Sequence, residues 1–110
     1  MSAISEYVAA VENKDSKKLS EIFALDGSIG DYCTHGSGQR EYHVYGREAI
    51  DMFFKHTFTF GKFSISEAKV VNETQAEFVA NYGGYFVMAI ATVRRVDDEG
   101  RILRLTVRPK

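Results

Sequence analysis

The sequence predicts an α+β protein, with three N-terminal helices packed in the concave face of a curved, mainly antiparallel sheet. Three observations predict it. Helical periodicity is confined to the chain before Gly61, and after it the sequence reads as strands and tight turns. Helices first and an antiparallel sheet after them is the α+β pattern. Finally, the stretch Tyr85–Val93 is apolar at both parities, with Phe86, Met88 and Ile90 on one face and Tyr85, Val87, Ala89, Ala91 and Val93 on the other. A strand apolar on both faces needs both covered. The expected covers are the chain's own helices on one side and a second copy of the molecule on the other, against the stripe Tyr85 to Val93.

Taken in order, Ile4, Tyr7, Val8 and Val11 fall at i, i+3, i+4 and i+7, one face of a first helix with Ser2 as its cap. Asp15 caps a shorter second helix with Leu19, Ile22 and Phe23 as apolar positions, and Gly27 is expected to end it. Ser28–Cys33 reads as a short strand, Thr34–Glu41 as a polar loop and Tyr42–Tyr45 as another short strand. Gly46-Arg47-Glu48 starts a third helix, with Glu48 well placed for the helix dipole and Ile50, Phe53, Phe54 and Phe58 on the apolar face. Four strands follow: Phe63–Val71, Gln75–Tyr82, the strand from Tyr85, and the one ending at Val107. The last two are joined by Asp97-Asp98-Glu99-Gly100, residues that suit a type I turn closed by a left-handed glycine.

A chain of 110 residues suits a single domain spanning 1–110. A net charge of −1 gives no general field for nucleic acid or an anionic membrane, so neither is an expected partner. No apolar stretch reaches the roughly eighteen residues of a membrane span, and MSAISEYVAAVENKD lacks the cationic start of a signal peptide. The single cysteine, Cys33, forms no internal disulfide and agrees with a reducing cytoplasm.

Three stretches resemble the NTF2-like superfamily, in particular its SnoaL-like and ketosteroid isomerase-like members. They are Tyr7–Asp31 (YVAAVENKDSKKLSEIFALDGSIGD), Tyr45–Phe54 with its GREAI helix start, and Arg95–Ile102 (RVDDEGRI). With the order of elements, the likeness runs from about Ile4 to Val107. It implies a cone with a pocket between the helices and the concave sheet, walled by Phe53, Phe54, Phe78, Ala80, Met88, Ile90, Thr92 and Leu105. Periodicity independently puts residues 88, 90 and 92 on one strand face, and 78 and 80 on another. An apolar cavity of this kind suits a small apolar molecule.

The same resemblance implies a chemistry. Asp31 falls at the position of the isomerases' catalytic aspartate, a base that takes a proton from the carbon beside a ketone and returns it elsewhere. Such a carboxylate works in a mostly apolar cavity, where its pKa rises toward working pH. Tyr7 falls at the position of the tyrosine that donates a hydrogen bond to the developing enolate. Thr92 stands where those isomerases keep a second, protonated aspartate, and loss of one oxyanion donor costs on the order of a hundred- to a thousand-fold in rate. Phe23 and Phe54 stand where supporting tyrosines would be, so Tyr7 is expected to act alone.

No cofactor motif is present: Gly36-Ser37-Gly38 lacks the strand and helix of a dinucleotide fingerprint, and His35, His43 and His56 have no metal-ligand spacing. His35 suits a pocket rim or a solvated loop, and His56 a pocket base or a helix surface. Cys33 reads as an inert small hydrophobe. Arg94, Arg95, Arg101, Arg104, Arg108 and Lys110 cluster near the carboxyl end with Asp97, Asp98 and Glu99 among them, and read as a solvated sheet edge. Two functions remain. One is a small-molecule-binding protein with an isomerase or cyclase step at Asp31; the other is a non-catalytic dimerisation or protein-binding module whose cone is a filled core.

Overall fold

A computed structural model describes residues 2–33 and 41–110. The chain runs α1 (Ala3–Glu12), α2 (Ser16–Glu21), β1 (Phe23–Asp31), β2 (Tyr42–Tyr45), α3 (Arg47–Phe60), β3 (Phe63–Val70), β4 (Gln75–Tyr82), β5 (Phe86–Val96) and β6 (Ile102–Pro109). The strands form one six-stranded sheet in the order β2-β1-β6-β5-β4-β3. Among the described residues only the β1–β6 pairing is parallel. Residue 41 apart, the expected polar loop lies outside the described residues. No helix among those described is long and apolar enough to cross a membrane.

The helix starts follow from their caps. Ser2 accepts from the Ser5 amide and Asp15 from the Lys18 amide, each satisfying a donor that the first turn leaves free. The β5–β6 hairpin closes as its composition requires: Asp97 Oδ1 accepts from the amides of Glu99 and Arg101, and Gly100 takes a φ of 81°.

Gly27 does not end a helix. α2 stops at Glu21, and Phe23 already pairs with Ile102 of β6. The Ile102 amide donates to the Ile22 carbonyl, and Arg47 donates twice to the Phe23 carbonyl, at 3.0 and 2.7 Å. These tertiary bonds pull Phe23–Asp31 into the sheet against its helical spacing. Gly27 is needed for a close crossing, because a Cβ there would sit 2.5 Å from the Ile102 carbonyl oxygen.

β5 corrects the assignment of faces. Ala89 and Ala91 are fully buried and Val93 nearly so, while Phe86 and Met88 are 65% and 46% exposed. The register agrees, since Ala91 lies opposite Ala76 and Val107, Ala89 opposite Phe78, and Val93 opposite Leu105, all buried. The helix-facing stripe is therefore Val87, Ala89, Ala91 and Val93. The outward one is Phe86, Met88, Ile90 and Thr92. Size decides this where hydrophobicity cannot: on the concave side neighbouring side chains converge, and alanines at 76, 80, 89 and 91 leave room for Phe54, Phe78 and Tyr7 in the same core. The stripe expected to meet a second copy is thus the floor of the protein's own core.

Candidate functional site around Asp31

Asp31 is the last residue of β1, opposite Tyr42 of β2 and Val107 of β6. It shares the inward face with Ile29, and only 2% of its surface is exposed. Its Oδ1 accepts from the Cys33 backbone amide at 2.8 Å. Its Oδ2 accepts from two phenols, Tyr42 at 3.1 Å and Tyr82 at 2.8 Å. Tyr7, on the buried face of α1, completes the cluster, close enough for the carboxylate charge to act on its phenol. Phe53 packs on Tyr42 with ring centroids 4.6 Å apart, Phe54 lies edge-on to Phe53, and Phe63 lies against Tyr82.

This surrounding sets the protonation states. Burial pushes the Asp31 pKa above its ordinary value; the Cys33 amide and the Tyr82 and Tyr42 hydroxyls pull the other way without cancelling it. Burial, and then the Asp31 charge, raise the phenols of Tyr7, Tyr42 and Tyr82, so all three stay protonated as donors. The same two causes push the Cys33 thiol up to about 12, which leaves it unreactive.

No family model matches the chain, and no curated protein does. Solved structures do match, over nearly its whole length. A candidate polyketide cyclase from Sinorhizobium meliloti superposes with a TM-score of 0.65 at 21% identity, covering 96% of this chain and 93% of that one. An NTF2-like protein of unknown function from Cytophaga hutchinsonii ATCC 33406 gives 0.67 at 12% identity, covering 98% and 87%. A protein with a ketosteroid isomerase-like fold from Catenulispora acidiphila DSM 44928, in complex with trimethylamine, gives 0.66 at 18% identity, covering 96% and 83%. The fold is NTF2-like.

Within this NTF2-like cone, Asp31 and Tyr7 are together, and Phe53, Phe54, Phe78, Ala80 and Leu105 face the interior. Thr92 does not join them. It lies on the outer face between Gln75 and Thr106, and its hydroxyl accepts from Gln75 at 3.4 Å. Met88 and Ile90 leave the pocket wall for the same reason, since they share the parity of Thr92 along β5. Tyr7 is not alone either, because Tyr42 and Tyr82 supply phenols from other strands. Both were legible. Val44 must face inward, so Tyr42 two residues earlier does too, and Tyr82 continues the stripe of Ala76, Phe78 and Ala80.

The histidines separate. His43 points outward against Tyr32, His56 is an exposed residue of α3 beside Phe60, and His35 lies outside the described residues. Among the described residues no cluster has the makings of a metal site.

Proposed function

We propose that this NTF2-like protein binds a small apolar carbonyl compound beside Asp31 and moves a proton on it, as in an isomerase or cyclase step. The observation that carries the reading is the Asp31 carboxylate, buried among phenols and phenylalanines with a raised pKa. A carboxylate whose pKa is raised by desolvation at a polar spot in an apolar interior is a candidate functional group. The carboxylate accepts from the Cys33 amide and the two phenols, and the Cys33 thiol bears on it as well. In the proposed step Asp31 takes a proton from the carbon beside the carbonyl, Tyr7 donates to the enolate oxygen, and the proton returns to carbon. Tyr42 and Tyr82 hold the carboxylate in position. The Catenulispora protein, of similar fold, is in complex with a small molecule, trimethylamine.

Proton exchange tests this directly. In D2O, wild-type protein should accelerate α-deuteration of 2-tetralone, read by NMR, and Asp31→Asn should lose on the order of a hundred-fold or more of that acceleration. Equal exchange in the two proteins would remove the catalytic reading. The rival is a filled core with a dimerising or protein-binding role. It draws on the near-complete burial of Phe54, Phe78 and Leu105.

The proposal includes a homodimer, now through Phe86, Met88, Ile90 and Val79 on the outer face of β4 and β5. These form an apolar patch that the helices do not cover. Light scattering at micromolar concentration should give about twice the 12.4 kDa chain mass. A clean monomer would sink this part.

A further inference from the structure

Arg94, Arg95, Arg104 and Arg108 do not lie on a sheet edge. β5 and β6 are the two middle strands of the six, and the acidic residues 97–99 sit beyond them in the hairpin turn. Arg104 and Arg108 share the outer face of β6 with Thr106. A bulge at Val93/Arg95 sets Arg94 against Thr106 and Arg95 directly opposite Arg104.

Three of the four guanidinium groups are held by neutral partners. Arg104 donates to the Ser28 hydroxyl at 3.2 Å and reaches the Tyr32 hydroxyl at 3.5 Å. Arg94 donates to Thr106 Oγ1 at 3.0 Å, and the Arg108 guanidinium carbon lies 4.3 Å from the centre of the Tyr32 ring. Among the described residues no carboxylate comes within 4.0 Å of any of them, and residues 34–40 contain no Asp or Glu. Asp26 shares a cleft of about 270 Å³ with Ser28, Arg95 and Arg104, but outside that distance. Like charges directly opposite on neighbouring strands destabilise a sheet. Here that cost is accepted in a chain with 15 acidic residues available to relieve it.

We propose that this half of the outer face is a binding site for a small molecule carrying two or more phosphoryl groups. Four guanidinium forks on adjacent strands, three of them held in place, match several phosphoryl groups better than one, because each guanidinium can take two oxygens of a phosphate. The site lies on β1, β5 and β6, beside the apolar patch on β4 and β5, so it is independent of the Asp31 chemistry.

Calorimetric titration with sodium tripolyphosphate, and separately with sodium sulfate, tests the site. Tripolyphosphate should bind saturably at one per chain and weaken as salt rises. Arg108→Gln, which alters an exposed side chain, and Arg104→Gln should each weaken it at least ten-fold. Arg101→Gln, whose charge already pairs with Glu99 in the hairpin, should leave it unchanged. No saturable binding would overturn the proposal. So would sulfate binding as tightly as tripolyphosphate, or unaltered affinity in Arg108→Gln.

Discussion

Ala89→Asp should yield no folded protein at room temperature, while Met88→Asp, one residue away, should yield a folded one. Ala89 is fully buried between Phe78 of β4 and Pro109 of β6. A carboxylate there has no donor designed for it and no room beside Phe78. Burial of an unpaired charge costs upwards of about 4 kcal/mol, comparable with the roughly 5–15 kcal/mol that holds a domain together. Met88 opens onto solvent on the outer face, where an aspartate stays hydrated and changes stability by about 1 kcal/mol or less. It should also split the proposed dimer, since it would put a charge into the apolar contact on each side. Circular dichroism on the pair decides the matter. A folded Ala89→Asp with an unfolded Met88→Asp would mean that the faces of β5 are the other way round.

That pair of residues also shows where sequence reasoning stopped. The helix faces, the Ser2 and Asp15 caps and the Asp97–Gly100 turn are local features, and local chemistry suffices to place them. The faces of β5 are not local. With apolar residues at both parities, alternation carries no sign, and the choice falls to the space beneath the helices, which belongs to β4 and α3 as much as to β5. β1 is similar: Phe23 has helical spacing from Leu19, but its carbonyl is claimed by Arg47, 24 residues on. Of the site, Asp31 and Tyr7 came from family resemblance, whereas Tyr42 and Tyr82 follow from alternation. What alternation could not give is that both phenols reach the same oxygen. That depends on β2, at one edge of the sheet, and β4, next to the other edge, curving toward each other across the cone.

Asp31→Asn should be at least as stable as the parent at pH 7, and its stability should be less dependent on pH. The folded-state pKa of Asp31 is raised above its ordinary value, chiefly through burial. The folded protein therefore holds this proton more tightly than the unfolded chain does. The group's contribution is most favourable below the unfolded pKa, and is lost as pH rises through the folded one. Above that the ionised carboxylate is a net cost. Asparagine removes that cost: its oxygen can still accept from the Cys33 amide, and its NH2 can donate to the Tyr42 and Tyr82 oxygens, which reverses those two bonds and turns each phenol hydrogen to another acceptor. Asp31→Leu makes the contrast. It strands two phenols and an amide in the interior, at about 1–3 kcal/mol each, and should be severely destabilised at every pH. Urea unfolding of the three proteins between about pH 4 and pH 8 gives all of these quantities. If Asn instead costs more than about 2 kcal/mol at pH 7, the charge itself is what the phenols and the amide stabilise. Asp31 is then a structural carboxylate, and the filled core becomes the better account of the cone.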